Sequence, residues 1–81
     1  MVKVFIVAVE DHEGCGTIRT SVHATLEGAT AVLREMVAEE FDGYEDFEDV
    51  DVSDMSAVEI AEAIDEVFGK SAFVEEHEVR A

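Results

Sequence analysis

Residues 2–9, Val2-Lys3-Val4-Phe5-Ile6-Val7-Ala8-Val9, are β-branched or aromatic except for Lys3 and Ala8. Successive side chains of a strand point to opposite faces, so an apolar run broken only by Lys3 suits a strand largely covered on both sides. It is predicted to be the central strand of a small sheet. Downstream, Asp11-His12-Glu13-Gly14-Cys15-Gly16 sets two glycines among polar residues, a hairpin-like connection. Ile18, Thr20, Val22 and Ala24 then alternate with Thr17, Arg19, Ser21 and His23, the pattern of a half-exposed second strand.

The period changes after Ala24. Thr25 is placed to N-cap a helix over 26–41, in which Leu26, Ala29, Val32, Leu33, Met36, Val37 and Phe41 recur every three or four residues. Ser56-Ala57-Val58-Glu59 matches a capping box, in which the hydroxyl takes the N3 amide and the carboxylate reaches back to the cap amide. A second helix starts there, with Ala57, Ile60, Ala61, Ile64, Val67 and Phe68 as its apolar stripe and Gly69 suited to the left-handed position past its end. Residues 71–79 place Phe73 and Val74 before Glu75, Glu76, His77 and Glu78, which favours a short edge strand.

The order ββααβ predicts an α+β fold, a small two-layer ββααβ domain whose three-stranded, mostly antiparallel sheet is covered on one face by two helices. Residues 1–81 are read as a single domain. Val4, Ile6, Val22, Leu33, Val37, Ile60, Ile64 and Phe68 are the expected core. Phe5, Val7 and Val9 then form a second apolar face on strand 1, to be covered in a homodimer or by a partner, or left partly exposed as on many monomers.

Charge bounds the function. The chain has 81 residues with 21 Asp+Glu against 5 Lys+Arg, a formal charge of −16, while its 48% apolar content supports a folded core. A chain this short buries only about 60 to 65% of its unfolded surface, leaving little room for an enclosed substrate cavity. It is expected to be non-catalytic and to need no cofactor. Nucleic acid and anionic membranes are poor ligands for so acidic a chain, and a basic partner is expected. No apolar run approaches the ~20 residues of a membrane span, and the single Cys15 cannot form an internal disulfide, so a cytoplasmic location is expected.

Two constellations contain residue types suited to metal or nucleophile chemistry. His12, Glu13, Cys15 and His23 are zinc-ligating types, but they lack the paired spacing that fixes two ligands from one turn, and nearby acids disfavour the Cys15 thiolate. Asp49, Asp51 and Ser53 reproduce the first three positions of a calcium loop; the match then fails, because Asp54 replaces the turn glycine and Ile60 stands where the bidentate acid belongs. Neither is assigned a metal.

The acidic display is the sharper feature. From Glu39 to Asp54 there are nine acids in sixteen residues and no Lys or Arg: Glu39, Glu40, Asp42, Glu45, Asp46, Glu48, Asp49, Asp51 and Asp54. Phe41, Tyr44, Phe47 and Val50 punctuate them at three-residue spacing, anchors that can pin the segment to the body, with Tyr44 and Phe47 also suited to an interface. On helix 2, Glu59, Glu62 and Glu66 advance by three and four residues, about 4.5 to 6 Å at ~1.5 Å per residue, a step comparable with phosphate spacing along one DNA strand. Such a row can imitate a nucleic-acid backbone.

In size, charge and its strand, hairpin and helix layout, the whole chain resembles the small acidic anti-CRISPR proteins of phages and mobile elements, several of which look like DNA to the Cas surface they block. These proteins share no common signature, so no residue role carries over. The resemblance implies a stoichiometric inhibitor whose partner is a Cas effector subunit or complex, met at the Lys/Arg surface that reads the short motif beside the target or grips duplex DNA. Two other readings fit the same composition: an acidic adaptor or antitoxin-like protein neutralising another basic protein, and an ordinary small domain from a salt-rich cytosol.

Overall fold

The computed structural model describes residues 2–10, 18–41, 43 and 50–79. Within them the chain forms β1 (Val2–Glu10), β2 (Ile18–His23), α1 (Leu26–Phe41), α2 (Ala57–Phe68) and β3 (Ala72–Val79). The three strands make one antiparallel sheet in the order β2-β1-β3, so the run that opens the chain is central, as its composition predicts. β3 is an edge strand, with eight residues rather than a short stub.

The predicted helix limits hold, and local hydrogen bonds fix the start of α1 and both ends of α2. Thr25 Oγ1 accepts from the Gly28 amide at 3.0 Å and its carbonyl accepts from Ala29, which starts α1. Both arms of the α2 capping box form: Ser56 Oγ accepts from the Glu59 amide at 3.2 Å, and Glu59 Oε1 accepts from the Ser56 amide at 3.1 Å. Gly69 ends α2 in the left-handed region at φ 66°, its amide donating to the Asp65 carbonyl.

Phe41 at the end of α1 stacks on Phe68 at the end of α2, with ring centroids 4.5 Å apart. Two turns earlier on α1, Arg34 Nη2 donates to the Met55 carbonyl just ahead of α2. The two helices therefore run in the same sense, with both C-termini at one end of the layer. Ala29, Leu33, Val37 and Phe41 of α1 and Ile60 and Ile64 of α2 are buried against Val7, Val9 and Ala72 of the sheet, with Val52 closing the cluster. Leu26, expected in the α1 stripe, is half exposed, and Val67 of α2 is also exposed.

One expectation is reversed. Val7 and Val9 have no exposed surface and Phe5 packs against the core, so these residues meet the helices instead of forming a second face. Val4 and Ile6 belong to the opposite face, and Val22, in register with Ile6, is 63% exposed. Strand 1 is apolar on both faces, so alternation alone could not choose between them. The choice is made by what each face meets: Val7 and Val9 stand opposite Val74 and Ala72, small or β-branched residues beneath the helices, whereas Val4 and Ile6 stand opposite His77 and Glu75. On β2 the polar set Arg19, Ser21 and His23 shares the helix side and the apolar set Ile18 and Val22 faces away. α2 packs on β3 and α1 crosses β1 and β3 to the margin of β2, where Arg19 meets its C-terminal acids.

Candidate functional site

The described acids of the strip fall into three environments. Glu59, Glu62 and Glu66 are exposed on α2, as expected for a solvent-facing row, and Asp65 joins them. Glu59 is partly committed, since its carboxylate caps its own helix. Glu62, Asp65 and Glu66 carry no ion pair with any described cation.

Glu39 and Glu40 are tied down. Arg19 Nη1 donates to Glu39 Oε2 at 3.1 Å and to Glu40 Oε2 at 3.4 Å, bridging β2 to the last turn of α1. The bond to Glu39 holds the Arg19 guanidinium above its usual pKa, with Glu40 adding to the effect against some desolvation. One cation thus offsets two acids, leaving a residual single negative charge at this corner.

Asp51 and Asp54 are exposed in the segment leading to α2. Asp51 Oδ1 accepts from the Ser53 hydroxyl at 2.6 Å and from the Ser53 amide at 3.0 Å, and these bonds, the hydroxyl's first, lower its pKa. A turn built on its own Ser53 explains why this Asp-x-Ser sequence reads like the start of a calcium loop. Among the described residues, no three of His, Cys, Asp and Glu come together as metal ligands. Asp42, Tyr44, Glu45, Asp46, Phe47, Glu48 and Asp49 lie outside the described residues, as do His12, Glu13 and Cys15. His23 contacts Ser21 Oγ through its Nε2.

The anchoring of the acidic segment is real at its described end, and a residue that sequence reasoning overlooked secures it. Arg34 donates from Nε to the Val52 carbonyl at 3.2 Å and from Nη2 to the Met55 carbonyl at 2.8 Å. Val52 is buried, and Val50 and Met55 pack against the core. The available signal was position: Arg34 directly follows the stripe residue Leu33, so a long side chain there can lie along the core edge and reach what covers it. Arg34 also lines an open groove of about 480 Å³ at the N-terminal ends of the two helices, with Leu26, Thr30, Ala57, Val58 and Val74.

All four described lysines and arginines are engaged within the chain: Lys3 with Glu76 at 3.9 Å, Lys70 with Glu10 at 4.0 Å, Arg19 with Glu39 and Glu40, and Arg34 with backbone carbonyls. The last turns of both helices contain no basic residue and carry acids instead, Glu39 and Glu40 on α1 and Asp65 and Glu66 on α2. A helix C-terminus already bears about −0.5 of a charge, and acids placed there cost about 0.3 to 1 kcal/mol each at low ionic strength. Because the helices run in the same sense, these unfavourable placements coincide at one end of the helix layer, a negative pole that Arg19 only partly offsets. Among the described residues, no helix is long and apolar enough to cross a membrane.

No protein-family model matches the chain, and no curated protein or solved structure is significantly similar to it.

Proposed function

We propose that this protein is a non-catalytic, stoichiometric inhibitor that binds the basic surface of a nucleic-acid-binding protein through its acidic helix layer and excludes DNA from that surface. In its narrowest form the target is a Cas effector subunit or complex. The observation that carries the reading is the placement of acids against local preference: the described cations are satisfied inside the chain, while Asp65 and Glu66 stand exposed in the last turn of α2, at a helix C-terminus that already repels them, with Glu62 exposed about one turn earlier. Self-repulsion of this kind destabilises the compact state, and attraction to a basic partner offsets it. Glu59, Asp51 and Asp54 extend the row, with Glu39 and Glu40 held at its corner by Arg19.

The test is displacement of a labelled DNA duplex from a guide-loaded Cas effector, followed by fluorescence anisotropy. Displacement should saturate near one inhibitor per binding surface and weaken steeply as salt is added, because many opposite charges are involved. The combined change Glu62→Lys, Asp65→Lys and Glu66→Lys should abolish displacement with the fold intact. Equal displacement by parent and variant would show that the row is only a solvated face.

A further inference from the structure

The sheet face turned away from the helices is apolar in a chain of formal charge −16. Five of the eight large apolar side chains exposed among the described residues belong to it: Val2, Ile18, Val22, Phe73 and Val79. Ile6 and Ala8 of β1 lie between them, and no described element packs over this side. Of the fourteen described acids, only Glu10 and Glu75 share the face, and both are already met from within the chain: Lys70 Nζ lies 4.0 Å from Glu10 and His77 Nε2 3.3 Å from Glu75. Among the described residues the face therefore offers little to a basic partner, which the helix layer would attract instead.

We infer that this open face is the contact between two copies of the chain, packed sheet against sheet with the helix layers outward. The charge distribution selects the second copy as occupant. Face-to-face packing sets the two acidic layers about 30 Å apart, counting one sheet-to-sheet and two layer spacings of about 10 Å each, well beyond the ~8 Å screening length at physiological salt. Any association through the helices would bring the acids of both copies together. The contact is self-complementary, as a two-fold interface requires, since each copy presents the same largely apolar surface, with Glu10 and Glu75 its only described acids.

Area sets the strength. Three strands at ~4.8 Å spacing and about 30 Å of β1 give a face of roughly 400 Å², hence about 800 Å² buried by the pair. Stable complexes bury about 1,200 to 2,000 Å², so the dimer is weak and reversible. Added salt tightens it by screening residual repulsion, whereas salt weakens binding to a basic partner. The inference does not depend on the proposed inhibitory activity, and the opposite salt responses keep the two separable.

Sedimentation equilibrium of the whole chain between about 10 μM and about 1 mM tests it. The average mass should rise from 8.9 kDa toward twice that value, with the dissociation constant falling at least about threefold between about 0.1 M and about 1 M NaCl. Val22→Arg and, independently, Ile18→Arg should hold the protein monomeric across that range with an unchanged thermal midpoint, since both side chains are exposed in the monomer. Val58→Arg, at an equally exposed apolar site on α2, should leave the dimer intact. A wild-type chain monomeric at about 1 mM in high salt overturns the inference. So does a dimer that survives both arginine substitutions, or one that Val58→Arg disrupts equally.

Discussion

Val7 and Val22 are valines of adjacent strands in one sheet, yet the first has no exposed surface and the second is 63% exposed. They lie on opposite faces: Val7 stands opposite Val74 under the helices, and Val22 stands opposite Ile6 on the open side. The helix side combines a dry core with a rim of carboxylates, whereas the open side has no helix over it among the described residues and carries only two described acids, Glu10 and Glu75. Two surfaces of such different chemistry suit two different kinds of contact, one ionic and one apolar. Hydrophobicity alone therefore says little about whether a strand residue holds the fold together; what lies above it decides.

The sharpest way to break this contrast is to place the same charge on each face. Val7→Asp should unfold the domain, because an unpaired carboxylate in the core costs several kcal/mol, while Val22→Asp should leave the free energy of unfolding within about 0.5 kcal/mol of the parent. Circular dichroism during urea titration reads both. Equal effects would mean that the faces are assigned wrongly.

A smaller change tests the helix side by itself. Ile64→Ala removes a fully buried side chain and should cost about 2 to 5 kcal/mol in the same titration. Arg34→Met, which keeps the stem but loses both bonds to the carbonyls of Val52 and Met55, should cost about 1 to 3 kcal/mol and expose the 50–56 segment to proteolysis first. If Arg34→Met leaves cleavage in that segment unchanged, the acidic segment is held by Val52 and its apolar neighbours.

The acids should behave in the opposite way to the core. Glu66→Lys relieves an unfavourable placement in the last turn of α2 and should stabilise the fold by about 0.3 to 1 kcal/mol, even as it weakens binding to a basic partner. A substitution that raises the melting temperature while lowering inhibition is the signature of a charge kept for binding. The smallest effect concerns Asp51. Its pKa is lowered in the folded chain by Ser53, so its contribution to stability is present above the ordinary carboxylate range and lost as pH falls through the folded value. Ser53→Ala should move the Asp51 titration, followed by carboxyl NMR, back up toward that range, with little change in stability at neutral pH.

Much of this molecule is decided by near neighbours in sequence. The start of α1 and both limits of α2 follow from Thr25, the Ser56 and Glu59 box and Gly69, each of which acts within four residues. Strand 1 was legible as the centre of the sheet because its run of β-branched residues has no polar face to turn to water. The exposure of Glu59, Glu62 and Glu66 was legible for the same kind of reason, since they stand on the polar side of a 3.6-residue period. Tertiary structure alone decided which apolar face of β1 is buried, because two equivalent alternating sets differ only in what packs on them. It also decided which acids remain free: Arg19 reaches Glu39 and Glu40 across twenty and twenty-one residues, and Arg34 reaches Met55 across twenty-one. Such pairings come from two chain segments meeting on one side of a sheet, and no local pattern of charge or hydrophobicity encodes that meeting.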